Sequence, residues 1–295
     1  MIDDSIEYYV DKHGDKIKKI MFDKLDFSFR LIKKLEEEGN IYLNGKKVSS
    51  NKNTYIDDIL RIEFSDEKNI YEENKMKLNI LFENQDFLAV NKPPYMLVHP
   101  SKVERKDTLA NGIVGYYKEK NIKRKIRFIN RLDMNTSGVV LIAKNSYAQS
   151  RIMTQMNENK ILKKYTALIK GPLENSEGVI DKPIGLEKNE NIKRSVIEKG
   201  KYSITRYKLI KNYENEITLI ELMLETGRTH QIRVHMNYIG HPLIGDELYG
   251  EKSKLLERQA LHCSEIGFKN IRNDEYINVK APLPEDFLKV MEGIR

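Results

Sequence analysis

One acidic side chain, Asp133, stands within the polar start of the segment NRLDMNTSGVVLIAK at residues 130–144. Arg131 lies two residues before it, and the turn-forming residues 135–138 lead into the apolar run Val139–Ala143. A carboxylate held next to a strand can act as a nucleophile or stabilise a developing positive charge. Aspartate is also frequent in turns, because its side chain bonds the neighbouring backbone. The segment alone leaves both interpretations open.

Residues of the kind that hold metals or cofactors are sparse. Cys263 is the only cysteine, which excludes an internal disulfide and a thiolate metal cage. The histidines show no HExxH spacing, and neither GxxxxGK[ST] nor GxGxxG occurs. We therefore predict no metal, no nucleotide cofactor and no redox cofactor.

The positive charge of the chain is concentrated in its larger part. Residues 1–76 carry 14 Lys and Arg against 17 Asp and Glu, a net −3, whereas residues 77–295 carry 37 against 27, a net +10. A basic surface favours a polyanionic partner, most often nucleic acid. No apolar run approaches the length of a membrane span, and the acidic amino terminus is unlike a signal peptide. We expect a cytoplasmic monomer that binds RNA and no membrane.

The first part of the chain has the pattern of a small α/β module. Ser28 is placed to cap a helix that carries Leu31 and Leu35 on one face, and Gly39 marks its end. The dipeptide Asn44-Gly45 lies between two short alternating segments and favours a two-residue hairpin turn. A helix followed by a hairpin is therefore predicted.

Over about residues 15–64 this arrangement resembles the S-four type RNA-binding domain. One departure is Asp57-Asp58, where that family usually has Gly-Asp. The resemblance implies that basic residues of the helix and hairpin face a phosphate backbone. These residues are Arg30, Lys33, Lys34, Lys46 and Lys47. The alternative is that these side chains lie on a solvent-exposed face and bind nothing, which the net negative charge of residues 1–76 favours.

A domain boundary is expected after this module. The stretch Ser65–Lys77 is polar and charged and sustains neither helical nor strand periodicity. We predict an N-terminal unit at residues 1–72, a linker at 73–77 and a larger domain at 78–295.

The larger domain mixes strands and helices without a regular βαβ order. Two short strands are predicted within residues 79–91, followed by an exposed, proline-constrained loop at 92–101. A helix is predicted at about 146–159 with Ser146 at its start, and strands at Tyr165–Ile169 and 216–224. These patterns indicate an α+β fold with a mainly antiparallel mixed sheet.

The segment around Asp133 resembles the Asp motif of the RluA-type pseudouridine synthases, in which Arg-Leu-Asp precedes Thr-Ser-Gly and an apolar strand. Other family segments follow in order across residues 78–290: NKPPYMLVHP, KKYTALIKG, TGRTHQIRVHMNYIGHPLIGDELYG and RQALHC. The departures are mild: Asn130 where His is commoner, Pro94-Tyr95 where Ala-Gly or Pro-Gly is usual, and Lys269-Asn270 where His-Pro is common.

The resemblance implies an enzyme that isomerises uridine to pseudouridine within RNA, a reaction that needs no cofactor. It implies that Asp133 is the catalytic carboxylate and that Tyr165 lies against the target base, where it can move a sugar proton. It also implies that Arg233 pairs with Asp133. We expect a bidentate guanidinium that keeps the carboxylate ionised, on a short helix that Thr229 caps and Gly240 ends.

RNA contacts follow from the same resemblance. Arg131 is expected to approach the RNA when the uridine is flipped out of its stack. Weaker candidates for phosphate or loop contacts are His99, Lys92, Arg228 and His230. Large-subunit ribosomal RNA is favoured over transfer RNA as the target. A non-catalytic RNA-binding factor that keeps the fold is the alternative function class, although the Asp, Tyr and Arg of the enzymes are all present.

Overall fold

The computed structural model describes residues 5–100, 106–188, 190–214 and 216–294. Its helices are α1 Ile17–Asp23, α2 Phe29–Glu38, α3 Leu109–Glu119, α4 Ser146–Asn157, α5 Gln231–Tyr238 and α6 Glu285–Gly293. Its strands are β1 Ile6–Tyr9, β2 Ile41–Leu43, β3 Lys46–Lys47, β4 Ile59–Ile62, β5 Ile80–Glu83, β6 Phe87–Lys92, β7 Arg127–Phe128, β8 Ser137–Ala143, β9 Leu162–Lys170, β10 Glu177–Asp181, β11 Ile184–Leu186, β12 Arg194–Val196, β13 Ile204–Tyr213, β14 Ile217–Leu224, β15 Leu261–Lys269 and β16 Tyr276–Lys280.

The larger part of the chain is built on one mixed sheet. Its strand order is β10-β13-β14-β9-β15-β8-β6-β5, with β16 beside β15 and β7 beside β8. Within the described ranges, β8 and β15 pair in parallel, and the other paired strands are antiparallel. The predicted α+β fold with a mainly antiparallel mixed sheet is confirmed.

The N-terminal part folds as a four-stranded sheet of order β1-β4-β2-β3 with α1 and α2. The Ser28 side chain accepts a hydrogen bond from Leu31 N, and Gly39 ends α2 at φ 71°. Asn44 and Gly45 both have positive φ, 52° and 76°, as a type I′ turn requires. The predicted helix and hairpin are confirmed. The S-four type assignment stays a prediction.

The stretch at residues 65–77 has no helix or strand, but it is fixed to the larger part of the chain. Glu67 accepts two hydrogen bonds from Arg127 Nη2, at 2.6 and 2.8 Å. The Asn69 side chain donates to Arg124 O and accepts from Ile126 N. This connector is therefore a structured strap along the surface rather than a free tether.

The N-terminal part also packs directly on α4 and on a loop near β16. The rings of Phe27 and Tyr147 stack with centroids 4.6 Å apart. Asp26 forms an ion pair with Arg151, and Arg272 Nη1 donates to Ser5 O at 2.8 Å. The two parts thus share apolar and polar contacts.

The start of α4 differs by one residue from the prediction. Asn145 is its N-cap, and the Asn145 side chain accepts from Ala148 N at 2.7 Å. Ser146 is the first helical residue. Asparagine and serine both favour the cap position, so only the backbone conformation distinguishes them.

In the described part of the chain, no helix is both long and apolar enough to cross a membrane.

Strand β8 is the central strand that leads away from Asp133, and all seven of its residues are buried. At its start Gly138, with φ 115°, pairs with Cys263 of β15. A Cβ atom at Gly138 would overlap the carbonyl group of Cys263. Glycine is needed here both for the positive φ and for the close approach of the two strands.

We expect Gly138→Ala to lower the free energy of unfolding by at least about 2 kcal/mol, because strain at positive φ adds to backbone overlap. Urea unfolding monitored by circular dichroism measures the change. Gly14→Ala is the matched control, since Gly14 has φ 85° with no heavy atom within 4 Å of its built Cβ. Equal losses in the two variants would show that the overlap with Cys263 contributes nothing.

Candidate active site

The loop that carries Asp133 connects β7 to β8 and is closed by local and distant hydrogen bonds. Thr136 N donates to Asp133 O at 3.1 Å, which forms a turn just before β8. Arg258 is fully buried, and its Nη1 donates to Asn135 O at 3.1 Å. Its Nε and Nη2 are held by Asp286 at 2.7 and 2.9 Å. The loop is therefore supported from the carboxyl-terminal helix α6.

Lys92 supports the same loop from the opposite side. It is fully buried at the end of β6, and its Nζ donates to Pro93 O, Met96 O and Met134 O at 2.8–3.0 Å. Burial lowers the pKa of Lys92 to about 7, and the nearby Asp133 opposes this shift. The expectation that Lys92 contacts phosphate is wrong for this structure, because its ammonium group points into the protein and is occupied by carbonyls.

Arg233, on α5, lies between two carboxylates. Its Nε and Nη2 each donate to Asp246 at 2.7 Å, and Asp246 is fully buried. Its Nη1 donates to Asp133 Oδ2 at 3.3 Å. The guanidinium also lies over the Tyr249 ring, 5.0 Å from the centroid.

This geometry corrects one expectation. Arg233 does pair with Asp133, but through one nitrogen, because the two-pronged contact is made with Asp246 instead. Burial alone would lower the pKa of Arg233, but Asp246 and then Asp133 outweigh it and raise that pKa above its ordinary value. The guanidinium is therefore a permanent, fixed cation beside Asp133.

The N-terminus of α5 is formed by His230 rather than by a threonine cap. His230 has φ 57° and makes no side-chain cap, and Thr229 is exposed. The His230 ring instead contacts Tyr249 Oη through Nδ1 at 2.9 Å, and its Nε2 lies 3.9 Å from Asp133 Oδ2. Burial lowers the pKa of His230, against the opposing charge of Asp133. The imidazole is thus neutral at pH 7. The predicted end of the helix at Gly240, with φ 85°, is confirmed.

Tyr165 is buried on β9 and faces the same space as Asp133. Burial raises the pKa of Tyr165 well above 10, and the neighbouring Cys263 and Asp133 raise it further. Its phenol is therefore neutral at physiological pH. A neutral ring with one hydroxyl can contact a flat base and still pass on a proton.

These side chains line one small cleft, which we call the catalytic pocket. Its walls are Arg131, Leu132, Asp133, Thr136, Tyr165, Leu224, Arg228, His230, Gln231, Ile232, Arg233 and Leu261. The pocket combines apolar walls, one aromatic ring and a carboxylate beside a fixed cation. Such a pocket can hold a flat ring and stabilise positive charge on an atom next to the carboxylate.

A second cleft, of about 920 Å³, opens between α2 and the segment before the Asp133 loop. We call it the N-terminal cleft. It brings together five residues predicted to contact RNA: Arg30, Lys33, Lys34, His99 and Arg131. Burial lowers the pKa of His99, and the charge of Arg131 lowers it further. Arg131 borders both this cleft and the catalytic pocket.

Not every residue predicted to contact RNA lines the N-terminal cleft. Lys46 is the exposed first residue of β3 and lines neither the N-terminal cleft nor the catalytic pocket. Arg228 and His230 line the catalytic pocket rather than the N-terminal cleft.

Two supporting residues, Asp246 and Arg258, are not among the site residues predicted from the sequence. Both lie within segments that carry the family resemblance, GDELYG and RQALHC, but no local pattern pairs Asp246 with an arginine 13 residues earlier. Among the described residues, no group of three or more His, Cys, Asp or Glu is arranged to hold a metal ion.

Comparison with known proteins agrees with this geometry. Residues 86–238 match the family described as RNA pseudouridylate synthase. The chain is 35% identical to the RNA pseudouridine synthase YlyB of Bacillus subtilis over 275 residues, covering 92% of this chain and 90% of that protein. It is 31% identical to the ribosomal large subunit pseudouridine synthase D of Vibrio cholerae, covering 92% and 88% of the two chains.

Among solved structures, human RNA pseudouridylate synthase domain containing 1 superimposes with a TM-score of 0.59 at 27% identity, covering 73% of this chain and 87% of that one. Of the twelve residues that line the catalytic pocket, all but Leu261 lie within the matched residues 86–238. The chain therefore belongs to the RluA-type family of RNA pseudouridine synthases, isomerases that convert uridine in RNA into pseudouridine.

Proposed function

We propose that this isomerase modifies large-subunit ribosomal RNA and that Asp133 is its catalytic carboxylate. The target is supported by the similarity to the Vibrio cholerae enzyme, which acts on the ribosomal large subunit by its name and is covered over 88% of its length. The carboxylate role is supported by one observation above the others. Asp133 stands at the catalytic pocket with one oxygen 3.3 Å from a guanidinium that is itself fixed from behind.

The reaction needs a base that has left its stack, because the bond to be broken is inaccessible within a helix. The uridine enters the catalytic pocket, and Arg131 at its rim contacts the RNA that the base has left. The N1–C1′ bond then breaks while Asp133 stabilises C1′ or bonds covalently to the sugar or base. The uracil turns, C5 bonds to C1′, the proton on C5 is released to water, and N1 takes up a proton from water, so that product and substrate have the same composition.

Tyr165 and His230 have different roles in this proposal. The Tyr165 ring lies against the base, and its hydroxyl transfers a sugar proton only in concert with bond breaking, since its pKa is far above neutrality. His230 is neutral, so it adds no second cation beside Asp133. Its contact with Tyr249 holds the start of α5, and thereby Arg233, in place.

The N-terminal cleft places the RNA. Arg30, Lys33 and Lys34 project from α2 towards it, and His99 and Arg131 face them. Several of its cations are already paired within the protein, as Lys34 is with Glu67 at 3.5 Å. A partly neutralised cleft suits selective placement of a folded RNA better than strong general attraction.

Cells that lack this protein should lose pseudouridine at one or more positions of large-subunit ribosomal RNA. The wild-type gene should restore those positions and Asp133→Asn should not, because an amide keeps the shape of the side chain but is not a nucleophile. Sequencing after chemical labelling of pseudouridine measures both. Loss confined to transfer RNA would overturn the ribosomal target. Tritium release by the purified variant within tenfold of wild type would remove Asp133 from its role.

We expect Arg233→Lys to lower kcat by about 100-fold or more, because a point charge cannot contact Asp246 and Asp133 together. Asp246→Asn should cost about as much, since it releases the same guanidinium. If Asp246 acts only through Arg233, the double variant should be no worse than Arg233→Lys alone. Single-turnover rates with thermal unfolding midpoints as a fold check provide the cycle. Multiplicative losses in the double variant would show independent roles.

We expect the combined variant Arg30→Gln and Lys33→Gln to weaken binding of ribosomal RNA and to lower the log–log salt slope by about 0.7–0.9 for each lost contact. Lys46→Gln serves as the comparison, because Lys46 belongs to the same small domain but lies outside the N-terminal cleft. Filter binding across a salt series gives the slopes. A slope change as large in Lys46→Gln would show that the RNA follows the hairpin instead of the cleft.

A further inference from the structure

A third cavity, of about 480 Å³, lies beside the catalytic pocket, next to the β11–β12 hairpin; we call it the hairpin cleft. Its walls are Arg131, Ile184, Gly185, Leu186, Arg194, Ile197, Lys199, Gly200, Lys201, Gly227, Arg228 and Thr229. It shares Arg131 and Arg228 with the catalytic pocket, and Arg131 with the N-terminal cleft. Arg131 therefore stands where the three spaces meet.

The hairpin cleft is lined by cations without any carboxylate. Five of its wall residues are basic, and none is Asp or Glu. Moreover, none of the five forms an ion pair within 4.0 Å with a carboxylate in the part of the chain that the structure describes. The N-terminal cleft differs in this respect, because Lys33, Lys34 and Arg127 there pair with Glu37 or Glu67.

Arg194 gives the clearest indication that the cleft suits an anion. Its Nε is buried and has no hydrogen-bond partner among the described residues. Its backbone N donates to Tyr249 Oη at 2.9 Å, and Tyr249 in turn contacts His230. Arg194 is thus anchored to the wall of the catalytic pocket while its buried donor lacks an acceptor, which a phosphate oxygen would supply.

One of the two lysines of the cleft, Lys201, is held by backbone pairing, and the other, Lys199, lies in the turn closed by Gly200 N donating to Ile197 O at 2.9 Å. Lys201 N donates to Ile184 O at 2.8 Å, and Ile184 N donates to Lys201 O at 2.9 Å. Gly200 makes this approach possible, since a Cβ there would overlap the backbone of Ile184. Arg228 is fixed similarly, because its Nε donates to Tyr202 O at 3.0 Å. Positions set in advance lower the ordering cost of binding an anion.

We propose that the hairpin cleft binds the phosphodiester backbone of the nucleotides that flank the target uridine. The proposal rests on the RNA-modifying function proposed above and adds a binding site to it. With the uridine in the catalytic pocket, one flank of the strand lies in the N-terminal cleft and the other in the hairpin cleft, with Arg131 between them. The unpaired cations of the hairpin cleft supply charge attraction that does not depend on sequence.

The test uses the full-length chain and a transcript of large-subunit ribosomal RNA labelled with tritium at uridine C5. Lys199→Gln combined with Lys201→Gln removes two exposed cations of the cleft, and Arg194→Gln separately removes the half-buried cation whose Nε is buried. Lys193→Gln is the matched control, because Lys193 precedes Arg194 on the same hairpin, lies outside the cleft and pairs with Glu187 at 3.7 Å. Binding is measured in the Asp133→Asn background, so that no turnover disturbs the equilibrium.

The double lysine variant should raise Kd at least tenfold and lower the log–log salt slope by about 0.7–0.9 for each lost contact. In the active background KM should rise by a larger factor than kcat falls, and Lys193→Gln should match the parent protein. A wild-type Kd and slope for the lysine variant would overturn the proposal, as would weaker binding without a change in slope. Failure of the proposed function shows separately, as absence of tritium release by the wild-type enzyme while the binding measurements stand.

Discussion

The buried contact between Arg233 and Asp246 is the interaction on which the active site depends. Asp246 occupies two of the guanidinium nitrogens and leaves Nη1 to meet Asp133 at 3.3 Å. Removing one member of a buried pair costs about 3–5 kcal/mol, because the other charge is left unpaired. The Tyr249 ring limits the remaining movement of Arg233. The positive charge beside the Asp133 carboxylate is therefore oriented before RNA arrives, as the proposed catalytic role of Asp133 requires.

The loop that carries Asp133 is held by the order of strands in the sheet. Lys92 reaches its carbonyl at Met134 from β6, and Arg258 reaches Asn135 from the segment before β15. Strand β8 lies between these two strands and meets β15 closely at Gly138. Two basic residues that face inward thus support the loop in a protein of net positive charge. Because both donate to backbone carbonyls, the loop is fixed without using the Asp133 side chain.

The two parts of the chain differ both in net charge and in whether the cations of their clefts are paired. The N-terminal part carries a net −3, and its cleft offers cations that are partly neutralised. The hairpin cleft belongs to the strongly basic part and holds its cations unpaired. Arg131 connects both clefts to the catalytic pocket. This arrangement agrees with the proposed division, in which the larger part supplies general attraction and the N-terminal part places the RNA.

Local elements followed from the sequence because their causes lie within a few residues. The Ser28 cap, the Asn44-Gly45 turn and the buried alternation of β9 required no distant partner. Two residues that depart from the family patterns, Asp57 and Tyr95, stand where glycine is usual. They still adopt a positive φ, of 68° and 62°, which is the conformation that favours glycine. The motifs of the same sequence also predicted Asp133, Tyr165 and Arg233 as site residues, and these three line one pocket. Only the tertiary structure decided that Asp246 holds Arg233 and that Lys92 points inward. The direction of each of these side chains depends on partners that lie in other strands, helices and loops. The residues next to them in the sequence do not specify those partners.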